Sequence, residues 1–247
     1  MERYGKTPGP FKRAKSNKII PGKWSDSTFH YLQDAKFLFT EKLDGTNIRL
    51  IYHPAHYTAD IADHPVAIDP NARGLEAMTG SQLVPARLEI KGRSDAAVVH
   101  HRLVEWAETL DIEKFVNAFS DNRVCIYGEG IGDGIQKGGP QYGATHFRAF
   151  AIKGSRGFLP WYITDEICRR SLQLLTAPVI LEATLNEGIE YMRTGFKTML
   201  GPNPGQFFAE GLIGLPTVPL YRPHGERIIV KLKHQDLYGG TDDTSTD

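Results

Sequence analysis

Short apolar stretches of strand length dominate this chain, and helical segments interrupt them without a regular alternation of strand and helix. Their composition predicts strands over residues 37–42, 47–52, 88–91, 123–128, 147–152, 211–215 and 227–233. Helices are predicted over residues 96–119, from apolar spacing, over 164–175, with Thr164 as the N-cap, and over 183–199, before a Pro/Gly cluster. This order favours the α+β class, with antiparallel sheets flanked by helices.

Two stretches carry no strong periodicity. Residues 1–23 are rich in Pro, Gly and Lys and are predicted to be irregular, while residues 53–86 are predicted to form a long loop or an excursion with short strands. Nothing between residues 25 and 238 has the composition of a linker. We therefore expect a basic N-terminal arm over residues 1–24, a single catalytic domain over residues 25–238 and an acidic tail over residues 239–247.

The net charge hides this uneven distribution. The 247 residues include 29 Lys and Arg and 29 Asp and Glu, so the formal net charge is zero. Seven of the basic residues fall within residues 1–24, whereas the last seven residues carry only acidic charges. The arm is either a solvated terminus or a segment that contacts phosphates, and a polyanionic partner is not excluded.

Targeting signals and cysteine usage indicate a cytoplasmic protein. No apolar run approaches the roughly 18 residues of a transmembrane helix, and the N-terminus lacks the apolar region of a secretory signal. Cys125 and Cys168 form no C-x-x-C motif and are predicted to be reduced thiols rather than a disulfide or a zinc site.

The segment Glu41–Asn47, with the sequence E-K-L-D-G-T-N, combines a lysine with a turn. Lys42 at the end of a strand can point into a groove, while Gly45 allows the backbone to pass close to a ligand. Lysine is a nucleophile only as the free amine, so its pKa of about 10.4 would have to be lowered. The alternative is an ordinary hairpin turn at Asp44-Gly45.

A glycine-rich segment, Y-G-E-G-I-G-D-G-I-Q, follows the strand predicted over residues 123–128. Its glycines at positions 128, 130, 132 and 134 do not match G-x-G-x-x-G, and no helix follows, so a dinucleotide-binding loop is rejected. The segment leaves one acidic residue, Glu129, at a strand end in a loop that allows close approach of a ligand.

Three further groups of residues carry charge near predicted strands. Glu210 precedes a strand, and Lys91-Gly-Arg-Ser94 would suit a phosphate or a ribose hydroxyl. Lys231 and Lys233 share one face of a strand, where a bound polyphosphate would relieve their mutual repulsion. The alternative is a solvated edge strand that its lysines protect from aggregation.

Taken in order, K-L-D-G-T-N, K-G-R-S, Y-G-E-G, F-R-A-F-A-I, E-G-L-I-G and I-I-V-K-L-K resemble the motifs of the covalent nucleotidyltransferase superfamily. The closest resemblance is to phage-type ATP-dependent RNA ligases of the type-2 group, which includes the RNA-editing ligases. The resemblance spans about residues 37–238. It implies a nucleotidyltransferase domain, the ATP-grasp-like adenylation domain of ligases, over residues 25–238 and no OB domain.

The resemblance assigns the nucleophile and the groups around the base and the phosphate. Lys42 would attack the α-phosphate of ATP and hold AMP through a phosphoramide bond, while Lys231 and Lys233 would neutralise that phosphate. Glu41 would help to select adenine. Phe150 would stack on the base, and the other aromatic of F-R-A-F would pack in the core.

The remaining roles concern the ribose and a metal. Asn47 and Arg93 would contact the phosphate or the ribose, and Glu129 would bind the ribose. Glu210 would act with Asp44 to place Mg²⁺ or Mn²⁺ through water molecules.

The resemblance implies an ATP-dependent polynucleotide ligase that joins 3′-hydroxyl and 5′-phosphate ends of nicked or single-stranded RNA through an adenylated 5′ end. It would act in the cytoplasm, which is that of the host if the protein is viral. A minimal DNA nick ligase, with DNA in place of RNA, and a nucleotide-binding module without ligation activity remain alternatives. The oligomeric state stays open.

The sequence departs from the family pattern in three ways. Leu215 stands where a lysine is usual, which motivates the non-catalytic alternative unless Arg222 substitutes for it, and Ala151 stands where an aspartate follows the stacking aromatic. Neither an OB domain nor a helical domain fits into residues 236–247. The basic arm or residues 53–86 would then have to hold the nucleic acid.

Overall fold

The computed structural model describes residues 4–58 and 82–238. The strands are β1 (Phe11–Arg13), β2 (Ile19–Trp24), β3 (Lys36–Lys42), β4 (Thr46–His53), β5 (His56–Thr58), β6 (Gln82–Val84), β7 (Arg87–Gly92), β8 (Val124–Ile131), β9 (His146–Gly154), β10 (Gly157–Phe158), β11 (Leu175–Thr176), β12 (Val179–Thr184), β13 (Gly211–Pro216) and β14 (Val230–Lys233). The helices are α1 (Ser27–Tyr31), α2 (His101–Glu108), α3 (Ile112–Phe119), α4 (Trp161–Glu166), α5 (Leu185–Thr194) and α6 (His234–Leu237).

Two sheets of the described residues line a cleft between them. The larger sheet has the order β10-β9-β8-β4-β7, with β11 pairing alongside β9, and the smaller sheet has the order β12-β3-β13-β14. All of these pairings are antiparallel except that of β11 with β9. The predicted α+β class with antiparallel sheets flanked by helices is confirmed.

Each sheet buries one face against its own helices. Leu103 of α2 and Phe115 of α3 pack under the larger sheet, against residues such as Ile126. Phe29 of α1 and Leu185 of α5 pack in the same way under the smaller sheet. Because each sheet has its own hydrophobic core on its outer face, the inner faces are available to form a cleft between the sheets.

The first predicted helix, over residues 96–119, is wrong as a single element. The chain forms α2 and α3 instead, and Asp111 lies between them. Its Oδ1 accepts a hydrogen bond from the backbone N–H of Glu113 at 3.0 Å. An aspartate in this position caps a new helix, so the pattern of apolar residues continues while the helix itself restarts.

The other two helix predictions have wrong boundaries. The second helix begins at Trp161, directly after Pro160, and continues as a π-helical turn to Ser171. Thr164 is therefore buried inside the helix and does not cap it. The third helix is limited to α5, because residues up to Thr184 belong to strand β12 and Gly195, with a φ of 68°, ends the helix.

The prediction that residues 1–23 are irregular is wrong for residues 11–13 and 19–23, although it holds for residues 4–10. Strands β1 and β2 form an antiparallel hairpin, and Phe11, Ile19 and Trp24 pack against the core of the smaller sheet. Arg13 forms an ion pair with Asp236 near the end of the described chain. Strands β5 and β6 lie within the predicted excursion over residues 53–86, but residues 59–81 and the predicted acidic tail lie outside the described residues.

The cysteine prediction is confirmed, because Cys125 and Cys168 are both free and buried. Burial raises the pKa of the Cys125 thiol to about 11 and that of the Cys168 thiol to about 12. In the described parts of the chain, no helix is both long and apolar enough to cross a membrane.

Candidate active site

Lys42 lies where the chain passes from one sheet to the other. It is the last residue of β3 in the smaller sheet, and β4, which follows after three residues, belongs to the larger sheet. Asp44-Gly45 is therefore a crossover between sheets, and the ordinary hairpin considered for this turn is wrong. The crossover places Lys42 at the cleft, together with Asn47 on β4.

Gly45 makes this crossover possible by close packing. A Cβ atom at this position would lie 2.3 Å from the carbonyl oxygen of Gly130 and 2.8 Å from the side chain of Glu129. Gly45 therefore allows the crossover backbone to approach β8, and the close approach is to the protein itself rather than to a ligand.

The pairing of three strands brings Glu210 between two lysines. Gly211, at the start of β13, lies opposite Lys42 of β3 on one side and opposite Lys233 of β14 on the other. Glu210 directly precedes Gly211. Its carboxylate accepts a hydrogen bond from Lys42 at Oε2 and forms an ion pair with Lys233 at Oε1, with a distance of 2.9 Å. One carboxylate therefore bridges the predicted nucleophile and a predicted phosphate-binding lysine.

Lys231 is the second cation of β14 and lines the cleft beside Lys42. Partial burial lowers the pKa of Lys231, and the charges of Lys233 and Lys42 lower it further. A cluster of like charges in a partly buried site is electrostatically unfavourable without an anion. The arrangement therefore suits a bound phosphate among these lysines.

Glu129 lies on the opposite wall of the cleft. It belongs to β8 and pairs with Asn47 of β4 in the register of the larger sheet. Burial raises the pKa of Glu129 to about 8, an effect that the carboxylates of Glu210 and Asp44 reinforce and that the charges of Lys42 and Arg93 oppose. Burial therefore favours the protonated form of Glu129, which can donate a hydrogen bond as well as accept one.

Two buried oxygen atoms of the cleft lack partners among the described residues. One is Oε1 of Glu41, whose side chain is only 2% exposed, and the other is Oδ1 of Asn47. Burial raises the pKa of Glu41, although a hydrogen bond with Thr198 and the charge of Arg148 act in the opposite direction. Buried acceptors without partners are costly, so a ligand that donates hydrogen bonds fits this part of the cleft.

The two aromatic residues of F-R-A-F separate into different environments. Phe150 is partly buried and lines the cleft, as the stacking prediction requires. Phe147 is 1% exposed and stacks on Trp106 in the core under the larger sheet, with ring centroids 5.4 Å apart. One aromatic is therefore available to a ligand, and the other supports the sheet.

The structure brings most of the predicted nucleotide-binding residues into a single cleft with a volume of about 210 Å³. The predicted residues that line it are Glu41, Lys42, Asn47, Arg93, Glu129, Phe150 and Lys231. Glu210 joins them through its ion pair with Lys42, and Lys233 through its ion pair with Glu210. In contrast, Lys91 of the K-G-R-S segment pairs with Glu89 at 3.0 Å.

The predicted metal residues are Asp44 and Glu210. Among residues 4–58 and 82–238, no group of three or more His, Cys, Asp and Glu side chains forms a ready metal site. However, Asp44 and Glu210 both lie close enough to Glu129 to raise its pKa, so three carboxyl groups share one region. Asp44 and Glu210 fit Mg²⁺ or Mn²⁺ held through water and substrate phosphates, because Mg²⁺ usually retains several waters.

The structure places Leu215 and Arg222 away from this cleft. Leu215 is buried in the smaller sheet and lines a different cavity, with Leu38 and Trp161. Arg222 binds Asp26 at 2.8 Å and Thr28 at 3.2 Å. The suggestion that Arg222 replaces the missing lysine is therefore wrong.

Several residues of the site were not predicted from the sequence. Tyr4, Gly5 and Thr7 line the cleft from the N-terminal segment. Arg148 lies near Glu41, and its guanidinium donates a hydrogen bond to the carbonyl of Thr176 at 2.9 Å. The local sequence feature that could have indicated Arg148 is its position between the two aromatic residues of F-R-A-F.

The RNA ligase family profile matches residues 35–233, which include both walls of this cleft. The chain belongs to the RNA ligase family. Among solved structures, it is similar to a lysine-to-alanine mutant of Naegleria gruberi RNA ligase with ATP and Mn, with 16% identity and a TM-score of 0.53 over 95% of this chain and 61% of that one. It is also similar to the same ligase with PPi, with 17% identity and a TM-score of 0.50 over 84% and 52% of the two chains.

These comparisons establish the RNA ligase fold. The chain spans about 61% of the length of the Naegleria gruberi ligase that it resembles. A search of curated proteins found no match to the sequence. The predicted membership in the RNA ligase family, with its nucleotidyltransferase-type fold, is confirmed.

Proposed function

We propose that this chain is an ATP-dependent RNA ligase that works through a covalent Lys42–AMP intermediate. The observation that carries the proposal is the convergence of Lys42, two further lysines and Phe150 on one cleft between the sheets. The match to the RNA ligase family supports RNA as the substrate, and Naegleria gruberi RNA ligase, similar in fold, has been solved with ATP and Mn and with AMP and Mn.

In the first step, the free amine of Lys42 attacks the α-phosphorus of ATP. A nitrogen–phosphorus bond forms, the bond to the bridging oxygen of the β-phosphate breaks, and pyrophosphate leaves. Before this attack, Lys42 has to lose a proton and separate from Glu210. Lys231 and Lys233 stabilise the negative charge that develops on the phosphate.

Residues of both walls of the cleft hold the nucleoside. Phe150 stacks on the base, and the unpartnered oxygen of Glu41 accepts a hydrogen bond from the adenine amino group. Glu129 binds the ribose, and Asn47 and Arg93 contact the ribose or the phosphate. A divalent cation, held through water by Asp44 and Glu210, would neutralise charge on the leaving pyrophosphate.

The adenylate then passes to the RNA. An oxygen of the 5′-phosphate attacks the AMP phosphorus, the nitrogen–phosphorus bond breaks, and the amine of Lys42 is restored. The 3′-hydroxyl next attacks the 5′-phosphorus, a phosphodiester bond forms, and AMP leaves. No observation in the described residues favours the DNA nick ligase or the non-catalytic module over this reaction.

Strand sealing tests the proposal. The full chain should join 3′-hydroxyl and 5′-phosphate RNA ends in the presence of ATP and Mg²⁺ or Mn²⁺, and Lys42→Ala should not. Lys36→Ala, at the exposed opposite end of β3, is the matched control. Substrates with the same nick in RNA, in an RNA/DNA hybrid and in DNA compare the alternatives, and sealing of DNA alone would contradict an RNA ligase.

A further inference from the structure

The segment before β1 is anchored along the strand that carries the cleft lysines. The backbone N–H of Lys231 donates a hydrogen bond to the carbonyl of Pro8 at 2.9 Å, and the Ser25 hydroxyl donates to the carbonyl of Gly9 at 2.6 Å. These two contacts, at adjacent residues, fix the path of the chain at the C-terminal end of the segment. Residues 4–8 therefore enter the cleft on a defined path, although they lie outside the region matched by the family.

Tyr4 is held inside the cleft by aromatic and cationic neighbours. Its ring contacts Phe150 in an edge-on arrangement with centroids 4.9 Å apart, and it packs on Tyr127 at 5.2 Å and on Phe158 at 5.9 Å. The guanidinium of Arg227 donates a hydrogen bond to the Tyr4 hydroxyl and lies 5.7 Å from the Tyr4 ring centroid. Both ends of the Tyr4 side chain are therefore fixed.

Tyr4, together with Gly5 and Ile229, lies between two cavities. On one side is the cleft with Lys42 and Phe150, and on the other is a cavity of about 650 Å³ that basic residues such as Lys6 and Arg222 help to line. Both cavities share Tyr4 in their walls. Removal of the Tyr4 ring would open the end of the cleft near Phe150 toward this second, charged cavity.

We propose that Tyr4 is a positioning residue for the nucleotide: its ring fixes Phe150 in the orientation that stacks on the base and closes that end of the cleft. The inference rests on the proposed function, since it concerns the nucleotide of the same site. Arg227 acts in turn through Tyr4, because it holds the hydroxyl. Tyr4 acts on the capture of ATP and not on the later steps, in which the adenylate is already covalently held.

The test separates these steps in the full chain. Tyr4→Ala should raise the KM for ATP in Lys42 adenylation by roughly three- to tenfold, the range of an aromatic pair, while kcat stays within about twofold. Sealing of an RNA strand that already carries a 5′-adenylate should proceed at the rate of the unchanged protein. Tyr4→Phe retains the ring but loses the hydroxyl that Arg227 holds, so its KM for ATP should lie between those of Tyr4→Ala and the unchanged protein. The control Tyr31→Ala, whose side chain is exposed, should match the unchanged protein.

Two results would overturn the inference. One is an unchanged KM for ATP in Tyr4→Ala, and the other is an equal loss of adenylation and of sealing of the pre-adenylated strand, which would indicate a general structural role. The Kd for ATP of the Lys42→Ala variant and that of the Lys42→Ala/Tyr4→Ala double variant compare ATP binding with and without the Tyr4 ring, in proteins that cannot form the adenylate. If the unchanged chain binds ATP but forms no adenylate, the proposed function fails while this binding comparison still decides the role of Tyr4.

Discussion

The carboxylate of Glu210 accepts a hydrogen bond from the ammonium of Lys42, so the ligand-free site holds its nucleophile in an ion pair. The same carboxylate binds Lys233 at 2.9 Å. A bridging acid of this kind keeps two like charges close together in the absence of a phosphate. A ligand that binds at Glu210 would therefore change the ion pairing of Lys42.

The Glu210→Gln variant tests this connection. It retains the size of the side chain but loses the charge that pairs with both lysines, so we expect Lys42 adenylation to slow by about 10- to 100-fold and to require more Mg²⁺. The measurement is the single-turnover rate of adenylation across a Mg²⁺ titration. Glu190→Gln, an exposed acid of α5, is the control. Equal rates and an equal Mg²⁺ dependence would contradict the role of Glu210.

Glu129 should make stability depend on pH. The pKa of Glu129 is about 8 in the folded protein and 4.5 for the ordinary solvent-exposed side chain, which represents the unfolded chain. Between these two pH values the folded state keeps a proton that the unfolded chain releases. The free energy of unfolding therefore decreases, through this group, as the pH rises from about 4.5 to about 8.

Glu129→Gln removes this titration because glutamine is uncharged at every pH. The Tm of the variant minus that of the unchanged protein should therefore increase across the same window, although adenylation by the variant should fall. Thermal unfolding of the ligand-free proteins at a series of pH values measures the difference, with Glu108→Gln on the exposed face of α2 as the control. Parallel Tm curves for the variant and the unchanged protein would count against the raised pKa.

Glu41 should determine the preference for adenine. Its unpartnered Oε1 can accept from the amino group of adenine, whereas guanine presents an oxygen acceptor at the equivalent position. In Glu41→Gln we expect the ratio of kcat/KM for ATP to that for GTP to fall by at least about tenfold. Adenylation assays with both nucleotides measure this ratio, and an unchanged ratio would refute the assignment.

Gly45 should be sensitive to the smallest substitution. In Gly45→Ala the new methyl group would meet the Gly130 carbonyl at 2.3 Å, so the crossover has to shift. We expect a loss of about 1–3 kcal/mol in the free energy of unfolding, together with slower adenylation. Denaturant unfolding measures the loss. Gly154→Ala, where a Cβ would meet nothing within 4 Å, should have little effect, and equal stability of the two variants would show that the crossover tolerates a side chain.

The strands that carry the site could be predicted from the sequence. Lys42, Glu129 and Lys231 lie on β3, β8 and β14, near the positions that the local patterns predicted. Strand β12, residues 179–184, was not predicted, and its last two residues were assigned to the helix predicted over residues 183–199. In the structure, Thr184 both ends the strand and caps the helix. A residue that serves both elements leaves little local signal for the boundary.

Contacts between distant segments could not be predicted in the same way. The Asp44-Gly45 dipeptide is typical of a hairpin, and only the pairing of β3 with β13 and of β4 with β8 makes it a crossover. Tyr4 stands in a stretch rich in turn-forming residues, yet it packs against Phe150, far away in sequence. Such placements depend on tertiary structure, which local propensity does not encode.

The central claim is that Lys42 becomes covalently attached to AMP. The full chain should be incubated with ATP labelled on the α-phosphate and with Mg²⁺ or Mn²⁺, followed by denaturing gel electrophoresis and by mapping of the labelled residue. The account predicts a labelled protein band in the unchanged chain and in Lys36→Ala, with the label on Lys42, and no band in Lys42→Ala. Absence of the band from the unchanged chain, or its persistence in Lys42→Ala, would contradict the account.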